Sequence, residues 1–210
     1  MKINGEHIFN GPRKEVWELF FDPIVLANAL PGTQKFEQVG DDEFEGVMNI
    51  RIGPVSGVFS GKIARSDLVP PERCTLSLDG KGTPGFVKGV GNIELIDQGD
   101  ATTMMKYDGE IQIGGTLASV GQRMIDSVSK SMIRTGFESL DKTLEARLKA
   151  NAEGVEADYE APTESEFAKS VVKDMAGGML ASKRTRLYLY TISAVILLIL
   201  LLFIISQCQP

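Results

Sequence analysis

The sequence predicts an α+β fold in which a curved antiparallel sheet of six to seven strands wraps around a long C-terminal helix, followed by a single transmembrane helix. Three patterns lead to this prediction. Between residues 33 and 113, runs of alternating apolar and polar residues follow one another at hairpin spacing. Apolar residues at helical spacing follow between residues 117 and 148. Twenty residues without a charge, 187–206, lie close to the end of the 210-residue chain.

The N-terminal segment is predicted to form one strand and two short helices. Residues 2–10 alternate with a period of two, as a strand with one buried face does. Pro12 suits the first turn of a helix, because its fixed φ and missing N–H are tolerated there. A second helix is expected to begin at the Asp22-Pro23 pair and to end at Pro31-Gly32.

The middle of the chain is predicted to form the remaining strands. Glycine, proline and aspartate interrupt the alternating runs at the spacing of hairpin turns. Such alternation is typical of an antiparallel sheet with one face buried. The predicted strands are residues 33–39, 43–52, 55–69, 73–79, 86–97 and 101–113.

The last part of the predicted domain is a helix of about thirty residues that begins at Thr116. One helix is too narrow to fill the concave face of a sheet of six or seven strands. The remaining volume is therefore either filled by large side chains or left as a pocket. The apolar stripe of this helix is Leu117, Val120, Met124, Val128, Met132, Phe137, Leu140, Leu144 and Leu148.

Beyond this domain, which we assign to residues 1–149, the sequence predicts a linker and an anchor. Residues 150–185 are acidic and poor in apolar residues, which indicates a flexible linker with a short segment that can lie on the membrane. Residues 186–206 are predicted to be a transmembrane helix, because about twenty apolar residues span a bilayer. A buried core helix is the alternative. Lys183, Arg184 and Arg186 precede the span, so the positive-inside rule places the main domain on the cytoplasmic side of the cytoplasmic membrane.

Fourteen residues of the sheet and the helix are predicted to point inward and are candidates for a cavity wall. A packed core explains most of them equally well, but flexible methionines and the small Gly57 and Gly61 favour a cavity for a polyisoprenoid or ring-bearing lipid. Pro31, Gly32, Pro84 and Gly85 are candidate gate residues, or simply residues of tight turns. The fourteen candidates are Met48, Ile50, Phe59, Ile63, Leu76, Leu78, Phe86, Met105, Tyr107, Ile111, Leu117, Met124, Val128 and Met132.

Charge and residue types argue against several classes of function. The net charge of −6 becomes −9 once the three basic residues beside the apolar tail are left out, which argues against a nucleic-acid partner. A single histidine, His7, and two distant cysteines favour neither a metal site nor a catalytic triad. We therefore expect a protein without enzymatic activity, and we expect His7 to be a packing residue unless it hydrogen-bonds a ligand.

Several short sequence motifs, in this order and spacing, resemble the family of the G subunit of carbon monoxide dehydrogenase, which belongs to the SRPBCC, START-like and Bet v 1-like superfamily. The resemblance covers residues 1–148. It implies the helix-grip fold of that superfamily. The motifs are Asp22-Pro23 with Leu30-Pro31-Gly32, Gly53-Pro54-Val55, Ser66-Asp67-Leu68 before Pro70-Pro71-Glu72, GKGTPGFVK at 80–88, Ile113-Gly114-Gly115-Thr116-Leu117-Ala118, and Gly121-Gln122-Arg123-Met124-Ile125.

The resemblance also implies a function. Such a protein is an accessory component of a molybdenum hydroxylase of the carbon monoxide dehydrogenase type, and it couples that soluble enzyme to the respiratory membrane. It would hold a respiratory quinone, menaquinone or ubiquinone, in its cavity, with no covalent cofactor and with membrane lipid as a further partner. Two alternatives stay open: a membrane-recruitment or assembly protein without ligand, and an aromatase/cyclase-like enzyme.

Overall fold

A computed structural model describes residues 1–52 and 54–153 as one antiparallel sheet and three α-helices. The strands follow the order β1-β7-β6-β5-β4-β3-β2 across the sheet. This arrangement confirms the predicted antiparallel sheet and the long helix after it. The elements are β1 (Lys2–Phe9), α1 (Arg13–Phe20), α2 (Pro23–Ala29), β2 (Thr33–Gln38), β3 (Glu43–Ile52), β4 (Val55–Val69), β5 (Arg73–Gly82), β6 (Gly85–Asp97), β7 (Thr103–Gly114), a 3₁₀ helix (Gly115–Val120) and α3 (Gln122–Glu153).

The start of the long helix differs from the prediction. Thr116 belongs to the 3₁₀ helix, and α3 begins only at Gln122. The residue between them, Gly121, has a φ of 89°, which a right-handed helix does not accommodate and which glycine adopts without a Cβ clash. The apolar periodicity runs through this break, so it did not reveal where the break lies. At its other end α3 continues to Glu153, four residues past the predicted domain boundary at 149.

Most of the packed core lies at one end of the sheet, under α1, α2 and the second half of α3. Its completely buried side chains include Phe9, Val16 and Leu19, each 0% exposed. We call this group the helical core. Its buried members are Phe9, Val16, Leu19, Val25, Ala29, Leu95, Met105, Leu140 and Leu144.

His7 is a packing residue of β1 that faces α3. Its ring stacks on Phe137 at 4.6 Å between centroids and meets Phe9 edge-on at the same distance. Its Nε2 lies 3.1 Å and 3.0 Å from the two carboxylate oxygens of Asp141. His7 is not among the residues that line the cavity described below, so the packing interpretation agrees with its position.

Asp22 fixes α2 against α3. Its Oδ1 accepts hydrogen bonds from the backbone amides of Ile24 at 2.9 Å and Val25 at 3.3 Å, which caps α2 at the start that the sequence predicted. Its other carboxylate oxygen accepts from Arg147 of α3. Burial alone would raise the pKa of Asp22, but these hydrogen bonds hold it below the ordinary value. The ionised carboxylate therefore anchors α2 at neutral pH.

The predicted membrane elements lie outside the described residues. These are the linker beyond residue 153, the transmembrane helix 186–206 and the flanking Lys183, Arg184 and Arg186. Within residues 1–52 and 54–153, no helix is long and apolar enough to cross a membrane.

Cys74 of β5 is expected to be chemically inert in the folded protein. Its side chain is 3% exposed, and burial raises the pKa of its thiol to about 11, an effect that the positive charge of Arg65 reduces. At pH 8 we therefore expect iodoacetamide to leave Cys74 unmodified in buffer and to modify it fully in 8 M urea, measured by peptide mass spectrometry. A Cys208→Ser background leaves Cys74 as the single cysteine of the chain. Rapid modification of Cys74 in buffer would contradict its burial.

Candidate ligand-binding cavity

A cavity of about 330 Å³ lies between the inner face of the sheet and the first half of α3. Its volume is at the lower end of the range found for small-molecule sites in proteins, about 300–1,000 Å³. Nine of the fourteen candidate wall residues line it. These nine are Met48, Ile50, Phe59, Ile63, Leu78, Ile111, Leu117, Val128 and Met132.

The other five candidates lie elsewhere. Met105 is 3% exposed within the helical core, and Tyr107 packs against that core. Met124 packs against a smaller cluster formed by Phe59, Leu117 and Val128. Met105 and Tyr107 lie on β7 with the alternation that the sequence predicted, and Met124 lies on α3. Residues of neighbouring elements pack against all three, so they do not reach the cavity.

Phe86 and Leu76 also lie outside the cavity wall. Phe86 is 39% exposed, because the next residue of β6, Val87, is the one that lines the cavity and successive side chains of a strand point to opposite faces. The predicted phase of β6 was therefore wrong by one residue. Leu76 has the same phase along β5 as the wall residue Leu78, but it lies outside the wall.

The floor of the cavity is a row of three glycines on adjacent strands. Gly46 of β3 pairs with Gly61 of β4, and Gly61 pairs with Gly80 of β5. All three line the cavity, and paired residues project from the same face of a sheet. Among the described residues, a Cβ added to Gly80 would meet only the carbonyl oxygen of Val87, at 3.6 Å. We call this row the glycine floor, and it leaves a strip of the inner face free of side chains.

Apolar side chains close the two ends of the glycine floor. Phe36 of β2 pairs with Gly46, and a Cβ added to Gly46 would lie 3.0 Å from the Phe36 ring. Val87 of β6 pairs with Gly80 at the other end. Because neighbouring strands lie about 4.8 Å apart, the floor itself is about 10 Å long.

Two cross-strand pairs form the long sides. Met48 pairs with Phe59 on one side of the glycine row, and Ile63 pairs with Leu78 on the other. All four line the cavity. Leu78 is 36% exposed although it belongs to the wall, so the cavity is accessible from outside near this residue.

The roof is the first half of α3. The wall residues of α3 follow the spacing i, i+3, i+4, i+7 and i+8, which is one face of a helix. The apolar stripe predicted from the sequence contains two of them, because it passes through Met124 and leaves out the neighbouring branched residues. These five residues are Ile125, Val128, Ser129, Met132 and Ile133.

The cavity offers few polar side chains. The hydroxyl of Thr33 donates to the carbonyl oxygen of Leu30 at 2.7 Å. Lys35 pairs with Val47, and Val47 pairs with Ser60, so these three residues project from the outer face of the sheet. The Lys35 ammonium lies 2.8 Å from the Glu37 carboxylate. These groups therefore have partners or belong to the other side of the sheet. Ser129 of α3 is different, because no hydrogen bond of its hydroxyl is found within the described part of the chain.

The four candidate gate residues do not line the cavity. Pro31 is buried, and the carbonyl of Gly32 accepts a hydrogen bond from the amide of Asn49 at 2.7 Å. Pro84 is also buried, and its carbonyl accepts from the amide of Leu117 at 2.8 Å. Both segments are anchored turns in this structure, and a gating role stays a prediction.

The two glycines predicted to free space on β4 have different roles. A Cβ added to Gly57 would lie 2.6 Å from the Pro84 ring, so Pro84 fills the space that Gly57 leaves. Gly61 lines the cavity as part of the glycine floor, and a Cβ added to it would lie 2.9 Å from the main chain of Asp79 and Gly80, so the close approach of β5 requires glycine there. The spacing of the two glycines was visible in the sequence, but the proline that occupies one of the two positions was not.

A larger depression of about 860 Å³ lies on the outer face of the sheet, across β1, β7, β6 and β5. Polar side chains line much of it, and several of them bond one another: Thr75 donates to Asn92 at 3.1 Å, and Asn92 donates to Asp108 at 3.1 Å. The described residues contain no group of three metal-ligating side chains. The apolar cavity is thus the candidate site.

Comparison with known proteins gives the family. The sequence profile of CoxG, the G subunit of carbon monoxide dehydrogenase, matches residues 5–145. A conserved protein from Geobacillus kaustophilus is 31% identical in sequence, covers 71% of this chain and 97% of its own length, and superposes with a TM-score of 0.67. The chain belongs to the CoxG family. The profile match contains the whole cavity except the N-terminal Ile3.

Two more distant structures share the fold of this CoxG-family chain. The ZhuI aromatase/cyclase from Streptomyces sp. R1128 is 13% identical, with 72% of this chain and 97% of that chain covered and a TM-score of 0.55. A START superfamily protein from Mycobacterium smegmatis is 12% identical, with 69% and 97% covered and a TM-score of 0.54. These likenesses agree with the predicted helix-grip fold. No curated protein sequence matches the chain.

Proposed function

We propose that this CoxG-family domain holds one ring-bearing apolar lipid, a respiratory quinone such as menaquinone or ubiquinone, in the cavity over the glycine floor. The observation that carries the proposal is the side-chain-free strip on the sheet, enclosed by apolar side chains and roofed by α3. An ordinary core would fill such a strip, because protein interiors pack as densely as organic crystals. The open space above this row of glycines is better explained by a ligand.

The size of the cavity limits which part of a quinone it encloses. A volume of about 330 Å³ is close to the lower limit for small-molecule sites, about 300–1,000 Å³. That accommodates a substituted ring and the beginning of a side chain, but not a long isoprenoid tail. The remaining tail would leave through the opening beside Leu78.

The apolar wall also makes exchange with a bilayer feasible. Burial of apolar surface stabilises a ligand by about 25 cal/mol per Å², and the hydrocarbon core of a membrane offers nearly the same stabilisation. The free energy of transfer between the two is then small, so the domain can both take up and release a quinone. The predicted anchor at residues 186–206 would keep the domain close to the lipid and so raise the rate of exchange.

We propose that the domain couples a soluble enzyme to the respiratory membrane and does not itself catalyse a reaction. The CoxG family is named after carbon monoxide dehydrogenase, and we propose a molybdenum hydroxylase of that type as the partner that reduces the bound quinone. The domain would face the cytoplasm from the cytoplasmic membrane. Its acidic surface would guide a basic patch of the partner. The sparse polar groups of the cavity offer no acid–base pair for an enzyme of the aromatase/cyclase type.

The test is extraction of the purified full-length protein with organic solvent, followed by mass spectrometry. We expect close to one quinone per chain, well above the amount in detergent micelles prepared in parallel from the same membranes. A recruitment protein without ligand would give only the micelle background, and that result would refute the carrier proposal.

A further inference from the structure

Ser129 is a polar residue of the cavity wall whose hydroxyl has no hydrogen-bond partner in the described part of the chain. It lies on α3 between the apolar wall residues Val128 and Met132, and the cavity lies between it and the glycine floor. The Thr33 hydroxyl donates a hydrogen bond to the Leu30 carbonyl oxygen. No hydrogen bond of the Ser129 hydroxyl is found in residues 1–52 and 54–153. Other serines and threonines of α3 do bond the preceding turn, as Ser127 bonds the Arg123 carbonyl at 2.9 Å.

We propose that Ser129 orients the ligand by hydrogen-bonding an oxygen on a flat ring that lies on the glycine floor. This assignment rests on the proposed function. An oxygen buried in an apolar cavity without a partner loses its hydrogen bonds to water, so a single well-placed hydroxyl selects the orientation that satisfies it. Ring ligands without such an oxygen gain nothing from Ser129.

The floor argues for a flat ring. Gly46, Gly61 and Gly80 span about 10 Å of the sheet. The Phe36 ring lies against Gly46, and along Gly61 and Gly80 a planar group can lie on main chain rather than on side chains. Phe36 and Val87 limit this strip at its ends. One or two fused rings match that length.

The chemistry of serine adds a consequence for the redox state of the ligand. A hydroxyl both donates and accepts. Ser129 therefore donates to the carbonyl oxygen of a quinone and accepts from the hydroxyl of the corresponding hydroquinone. The site is thus expected to retain its ligand in either state, which a backbone amide or a lysine, as pure donors, would not do.

The experiment compares two probes of the same shape, 2-methyl-1,4-naphthoquinone and 2-methylnaphthalene, which differ in the ring oxygens. Full-length protein in nanodiscs is dialysed to equilibrium against an equal amount of empty nanodiscs, so that partition into lipid cancels.

We expect Ser129→Ala to weaken binding of the quinone by about two- to tenfold and to leave binding of the hydrocarbon unchanged. Alanine favours the helix, so folding is preserved. Ser127→Ala, two residues away on α3 and outside the cavity wall, is the matched control and is expected to change neither.

Each outcome has a distinct meaning. Equal loss for both probes, or no loss for either, overturns the assignment of Ser129 while leaving a ligand-binding cavity in place. If neither probe binds the wild-type protein above the empty nanodiscs, the carrier proposal itself fails, and the assignment fails with it.

The floor is tested by Gly80→Ala in the same dialysis. The added methyl group has room, since its contact in the described structure is one carbonyl oxygen at 3.6 Å. The added methyl group occupies floor space that a flat ring would contact, which weakens binding by about the contribution of one buried methylene, so we expect both probes to bind roughly fourfold more weakly. Ser77→Ala, on the outer face of the same strand, is expected to change neither. Unchanged binding to Gly80→Ala would show that the ring does not lie on the glycine floor.

Discussion

Replacement of Gly80 by leucine is expected to empty the cavity without unfolding the domain. The leucine side chain would project from the middle of the glycine floor into the cavity of about 330 Å³. A Cβ at this position meets only ordinary van der Waals contact in the described structure, so the backbone does not need to move. Overpacking of an already filled core costs about 1–3 kcal/mol. Here that cost falls on the bound ligand, which corresponds to a loss of affinity of about five- to 150-fold. The amount of quinone extracted per chain is the measurement.

Ser77→Leu is the matched control for this variant. It places the same side chain on the same strand but on the outer, exposed face. It is expected to retain the wild-type amount of quinone. Circular dichroism checks that both variants fold. Equal quinone content in Gly80→Leu and wild type would mean that the lipid is bound elsewhere, and the cavity would lose its proposed role.

The largest effect on stability is expected from Phe9→Ala. Phe9 is 0% exposed, and its ring lies 5.6 Å from that of Phe20 and 5.9 Å from that of Phe137, both edge-on. Its removal opens a cavity where β1, α1 and α3 meet, and such truncations cost about 3–5 kcal/mol. The free energy of unfolding is measured in urea by the fluorescence of Trp17, the single tryptophan of the chain, which packs against the same helical core.

Ile8→Ala separates this effect from a general weakening of β1. Ile8 precedes Phe9 on the same strand, points to the opposite face and is 58% exposed. We expect its replacement to cost less than about 1 kcal/mol. Similar losses for the two variants would contradict the view that the helical core, rather than the strand, carries the stability of this end of the sheet.

The sequence predicted the elements well because their signals are local. Alternation with a period of two and turn residues at hairpin spacing identified each strand to within a few residues of its observed ends. Asp22 and Pro23 marked the start of α2, because a helix needs its first amides capped and tolerates proline there. The break at Gly121 was missed, since one glycine inside a long apolar stripe does not by itself end a helix.

The candidate site was predicted in part. Six wall residues followed from strand alternation and three, Leu117, Val128 and Met132, from helical periodicity. Met105 and Tyr107 alternate like the six but belong to or pack against the helical core instead. What separates the two sets is the position of α1 and α2, which cover one end of the sheet and leave the other to α3. Val87 was missed for a different reason, because the phase of β6 can be read with Phe86 inside until pairing with β5 and β7 fixes it.

By itself the sequence determined the antiparallel sheet, the long helix, the candidate anchor and the resemblance to CoxG, since each depends on residues near one another in the chain. Only the tertiary structure decided that Gly46, Gly61 and Gly80 form one floor and that Ser129 lines the same cavity. Their alignment depends on strand register, which is set by pairing between distant segments and moves every side chain to the other face when it slips by one residue. A cavity is a property of that alignment, and no single stretch of this chain contains it.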